Sequence, residues 1–135
     1  MSNKPVITVT RLDMQRLEQM LDNLDDYDAA AEALEAELAR ATFIGHTEIA
    51  DTIVTMNSKV HFYEKTSAAE HQLTLTYPEQ GGVAGNVSIL APIGMALLGL
   101  SEGQTIDWQT PKGKTLQLKV HKVEYQPEAQ GEYTL

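Results

Sequence analysis

Asp22, Asp25, Asp26 and Asp28 crowd into one short stretch of the chain, the densest group of carboxylates in it. Such a cluster can coordinate magnesium and orient a water, because hard oxygen ligands suit a hard cation. Asp25 or Asp26 can instead cap a following helix, whose first N–H groups and dipole favour negative charge. That is the simpler reading. The other polar side chains offer less chemistry. His46 falls in a linker, His61 and His121 fall within predicted strands and His71 at the start of one. None has the i, i+4 or short-loop spacing of a metal-binding pair, so each reads as an exposed or edge-strand residue. Ser88 has no Gly-x-Ser-x-Gly context. The loop Gly81-Gly82-Val83-Ala84-Gly85 lacks the Lys-Ser/Thr of a phosphate-binding loop and opens no long helix. The chain has no cysteine, which removes thiolate nucleophiles, disulfides and cysteine-based zinc sites together. No catalytic residue, cofactor or metal is expected.

The elements that position these residues follow from charge and periodicity. The net charge of −9 is uneven: residues 1–51 carry 11 Asp/Glu against 4 Lys/Arg, and residues 52–135 carry 8 against 6. An acidic arm is joined to a nearly neutral body. Autonomous binding to DNA or to an anionic membrane wants a basic footprint, so neither is expected. No apolar run approaches the roughly 20 residues of a membrane span, and Met1-Ser2-Asn3-Lys4-Pro5 leads into a β-branched stretch rather than a signal core. A cytoplasmic protein is expected.

Thr10 sits where a helix N-cap belongs, with Asp13 three residues on, and Met14, Leu17, Met20, Leu21 and Leu24 recur at helical spacing. This predicts a first helix from Arg11 to about Asn23. Ala31, Leu34, Leu38 and Ala41 predict a second, from Tyr27 to Arg40. The connection is short enough to fold the two into an antiparallel hairpin about 20 Å long. Truncating Leu38 should then loosen this arm and leave the rest folded. Beyond residues 43–52 the pattern alternates. Val54, Met56, Val60 and Phe62 are predicted on one strand face, Leu73, Leu75 and Tyr77 on another. Lys65-Thr66-Ser67 reads as a turn, and Pro78 ends the second strand. Val87 to Leu90 forms a short strand that bends at Ala91-Pro92 into a helix ended by Gly99. A final hairpin pairs Ile106 and Trp108 with Leu116, Leu118 and Val120 across the turn Thr110-Pro111-Lys112-Gly113, and the phase change at Val123 and Tyr125 predicts a β-bulge near His121-Lys122.

The run from Ala91-Pro92-Ile93-Gly94-Met95 through Gly99-Leu100-Ser101-Glu102-Gly103, Thr110-Pro111-Lys112-Gly113 and Val123-Glu124-Tyr125 resembles the C-terminal domain of the Gre transcript-cleavage factors. With Thr55-Met56-Asn57-Ser58-Lys59-Val60 and the tail from Glu124 to Tyr133, the chain looks like their short-coiled-coil relatives, the regulators of nucleoside diphosphate kinase. The resemblance implies an α+β protein. Residues 1–45 would form an antiparallel helical hairpin, a short coiled coil, and residues 46–135 an FKBP-like antiparallel sheet with one short helix. It implies docking on bacterial RNA polymerase, at the largest-subunit coiled coil beside the secondary channel, with the arm pointing inward. The arm looks too short to carry its acidic tip to the catalytic magnesium, so competition with Gre factors without transcript cleavage is expected. Ser88, Leu90, Pro92, Ile93 and Met95 are the polymerase-binding residues implied. Ser88 and Pro92 match the Gre pattern, whereas Leu90 replaces an acidic position. Two other classes stay open: a direct regulator of nucleotide metabolism, and a peptidyl-prolyl isomerase whose pocket floor would be Trp108, Tyr77 and Phe62.

Overall fold

The computed structural model describes residues 7–24, 28–65, 68–109 and 115–131. The first helix, α1 (Arg11–Asp22), begins as its sequence dictates: Thr10 has extended geometry and its hydroxyl accepts the Asp13 N–H at 3.0 Å. The second, α2 (Ala29–Ala39), starts later than its periodicity suggests, because the cap is Asp28, whose carboxylate accepts the Ala31 N–H at 3.1 Å. The capping role given to Asp25 or Asp26 therefore passes to Asp28. Those two residues, like the turns at 66–67 and 110–113 and Tyr133, lie outside the described residues.

A strand flanks each end of the helix pair. β1 (Thr8–Thr10) and β2 (Thr42–Ile44) lie parallel, from Thr8 opposite Thr42 to Thr10 opposite Ile44. Periodicity gave no sign of this pairing, since three-residue strands are too short to show an alternation. β1 is also stitched to the body, the Thr8 N–H donating to the Gly99 carbonyl at 3.2 Å. Gly99 has φ +82°, and a Cβ there would stand 2.6 Å from the Ile7 Cβ, so only glycine lets the strand pass this close.

The body is a five-stranded sheet in the order β5-β4-β3-β7-β6, from β3 (Lys59–Glu64), β4 (Ala69–Thr76), β5 (Asn86–Ser88), β6 (Thr105–Gln109) and β7 (Thr115–Tyr125). It is antiparallel except for the parallel β4–β5 pair. One short helix, α3 (Pro92–Leu97), packs on it. Val54 and Met56 are buried with Val60 and Phe62 as expected, but not on one strand. The chain turns at Asn57 (φ 65°), where the Ser58 hydroxyl accepts the Thr55 N–H at 3.0 Å. The anticipated bulge is present: β7 slips against β3 on either side of Lys122, skipping His121 and Glu124.

Ile7, Val9, Leu17, Leu34 and Leu38 from the N-terminal part share one buried cluster with Phe62, Leu75, Ile89, Leu97, Trp108 and Val120 of the body. The two helices are thus seated on the sheet-bearing part through a common core. Burial of apolar surface, worth about 25 cal/mol per Å², favours this shared contact.

Candidate functional site

β5 ends at Ser88 and α3 begins at Pro92, so the corner implied by the sequence is a real bend. The Ser88 hydroxyl accepts the Leu90 N–H at 3.1 Å and the Ser88 carbonyl accepts the Ala91 N–H at 3.0 Å, which locks the turn locally. Two glycines close around it. A Cβ on Gly94 would stand 2.1 Å from the Ser88 carbonyl oxygen, and one on Gly81 would stand 2.8 Å from the Ser88 Cβ. Pro92 takes the first helical position, where its missing N–H costs nothing. At the surface of the bend lie exposed Pro92 and half-buried Ser88, Leu90 and Ile93. Met95 does not join them: it is 2% exposed and fills the core beneath.

Of the acidic cluster, Asp22 and Asp28 lie among the described residues. Asp28 is occupied as a cap, and Asp22 is exposed at the end of α1. Among the described residues no group of three His, Cys, Asp or Glu side chains is placed to hold a metal ion. The histidines are more organised than sequence spacing showed. His61 on β3 and His121 on β7 have ring centroids 5.3 Å apart, and their Nε2 atoms lie 3.7 and 3.5 Å from the carboxylate of Glu70 on β4. His71 stacks on Phe62 at 5.3 Å. These pairings run across strands, so spacing along the chain could not reveal them.

The residue that sequence reasoning misjudged is Asp13. Beyond its capping-box position, its side chain is buried, 2% exposed, and its Oδ2 accepts the Met56 N–H at 3.0 Å, bridging α1 to the segment before β3. Burial, with a smaller contribution from the Glu128 charge, pushes its pKa up to about 7 against the opposing pull of the Met56 hydrogen bond, Arg16 and Thr10. Glu128 in turn accepts a 2.7 Å hydrogen bond from the Thr55 hydroxyl. Burial, with the Asp13 charge second, also pushes the Tyr77 phenol upward. A signal was available: Asp13 precedes Leu17 by four residues and Leu21 by eight, which puts a carboxylate on the buried face of α1.

Phe62 and Trp108 are sealed in the core, so with Tyr77 they do not floor an open aromatic pocket. No helix among the described residues is long and apolar enough to cross a membrane.

Comparison with known proteins bears on the whole chain. Residues 49–125, which contain the corner, match the family described as transcription elongation factor GreA/GreB, C-terminal, and residues 5–43 match the Rnk N-terminus. The chain is 38% identical to the regulator of nucleoside diphosphate kinase of Escherichia coli K12, over 98% of this chain and 99% of that protein. It is 29% identical to the elongation factor GreA of Thermodesulfovibrio yellowstonii, over 69% of this chain and 59% of that one. A solved GreA/GreB elongation factor structure from Nitrosomonas europaea superposes with a TM-score of 0.69 at 45% identity, covering 90% of this chain and all of that one. These relatives carry the names of regulators and transcription factors. The chain belongs to the family of regulators of nucleoside diphosphate kinase, and its second half to the GreA/GreB C-terminal family.

Proposed function

We propose that this protein is a non-enzymatic, cytoplasmic regulator that binds bacterial RNA polymerase at the rim of the secondary channel and competes there with Gre factors. The observation that carries the reading is the Ser88–Pro92 bend, a rigid corner inside the segment that matches the GreA/GreB C-terminal family. Residues 46–135 serve as the docking body and residues 1–45 as an arm directed into the channel. Ser88, Leu90, Pro92 and Ile93 form the contact with the largest-subunit coiled coil, Met95 supporting them from below. With Leu90 at the position that is acidic in the Gre pattern, that contact is more apolar.

Helices of 12 and 11 residues span about 18 and 16 Å at 1.5 Å per residue. That reach is short for delivering Asp22, Asp25, Asp26 and Asp28 to a distant catalytic magnesium, and Asp28 is committed to its cap. The protein therefore releases no short RNA from a backtracked elongation complex, and fragment release abolished by replacing Asp25 and Asp26 would overturn this part of the reading.

Combining Leu90→Asp with Pro92→Ala is expected to weaken polymerase binding at least tenfold, about 1.4 kcal/mol, as removal of a desolvated anchor does. The variant must first match the parent in circular dichroism and melting. Full competition with a Gre factor by the folded variant would remove the corner from consideration. The relatives' name supports a second reading, direct action on nucleotide metabolism, and co-purification with polymerase subunits or with the kinase separates the two.

A further inference from the structure

The first turn of α1 is fastened to the body through a carboxyl group with almost no access to water. Asp13 receives the Met56 N–H on Oδ2 and is 2% exposed. The charged and titratable groups around it come from two other places in the fold and its own helix. Arg16, one turn along α1, attracts its negative charge. Glu128, in the turn after β7, repels it, and Tyr77, at the end of β4, shares the buried surroundings. Met56 and Thr55 supply the neutral wall, with the Thr55 hydroxyl engaged by Glu128. A second carboxylate and a desolvated site both oppose ionisation, whereas the hydrogen bond at Met56 needs only an acceptor oxygen, which the neutral carboxyl retains.

We propose that Asp13 is a proton-operated latch between the helical arm and the sheet-bearing body, holding α1 against Met56 when protonated and loosening it when ionised. Asp13 in the closed form keeps its proton up to about pH 7, whereas a solvated aspartate loses it near pH 4. The closed form therefore binds the extra proton between those values. The latch is at full strength below that window, weakens by up to about tenfold in its closing equilibrium per pH unit as pH rises through it, and changes no further above it.

Amide hydrogen exchange on the full chain, corrected for the intrinsic pH dependence of exchange, reads this directly. Protection at Met56 and along α1 is expected to fall by more than tenfold between pH 5 and pH 7. Protection of Phe62 and Val120 at the sheet centre should change much less. Asp13→Asn keeps an acceptor without the titration and should flatten the profile. Glu128→Gln removes the repelling charge, so the loss should begin to level off at lower pH and be smaller in total. A flat wild-type profile at Met56, or an unchanged slope in a folded Asp13→Asn, overturns the proposal. Should Asp13→Asn fail to fold, the wild-type slope and the Glu128→Gln displacement decide it, an unmoved profile in the latter counting against it.

Discussion

Single side chains in this protein matter most where backbone segments nearly touch. Gly94 is the clearest case: α3 rides so close over the Ser88 carbonyl that a methyl group has no room. Gly94→Ala should cost at least about 1–3 kcal/mol, the range for forced overpacking, and lower the melting temperature by several degrees. A melting temperature equal to the parent's would show that the corner relaxes freely. Gly94 was visible in the sequence only as part of a resemblance, since nothing in local spacing says which carbonyl a glycine will face. Asp13 was legible in principle. Its place four residues before Leu17 announces burial, but Met56, whose N–H donates to it, is 43 residues away and enters only through the fold.

At the level of elements, the helices were read to within a turn because caps and apolar stripes are local signals. The start of α2 was misplaced because three aspartates in a row of four positions compete as caps, and only the backbone geometry at Asp28 decides among them. Asp28→Ala should destabilise the protein by about 1 kcal/mol in chemical denaturation. A loss near zero would mean that a neighbouring aspartate takes over the cap. Strands were read where apolar residues alternate, at Val60 and Phe62, Leu73 and Leu75, Ile106 and Trp108, and Leu116 to Val120, and the exception is the stretch before Lys59. Val54 and Met56 alternate as a strand would, yet the backbone at Asn57 turns them out of β3 while leaving both inside. The bulge in β7 was readable because it inverts which side chains are apolar, a change of phase that sequence records directly. The cross-strand group of His61, His121 and Glu70 was not, since three strands contribute to it.

Across the whole molecule, the arm and the body share one core, and this changes what a cavity in the arm should do. Leu38 is 2% exposed and belongs to the same cluster as Trp108. Leu38→Ala should cost about 2–5 kcal/mol. Its thermal transition followed by the fluorescence of Trp108, the single tryptophan, should coincide with that followed by helical circular dichroism. Separate midpoints would instead bear out the expectation from the sequence alone, an arm that loosens while the sheet persists. That expectation arose because periodicity identifies the apolar face of a helix without saying whether the other helix or the sheet will cover it.

The parallel pairing of β1 with β2 means that the chain leaves for the helix pair and returns from it at neighbouring points, in fixed register from Thr8–Thr42 to Thr10–Ile44. Such an arrangement behaves as a socket with two adjacent terminals. Residues added to both helices, after Asp22 and before Ala29, would lengthen them while Leu17, Leu38 and the strand clasp keep their places. Helix length is thereby uncoupled from the geometry of the base, and a graft of a longer helix pair onto it should fold with the bend at Ser88 and Pro92 unaltered.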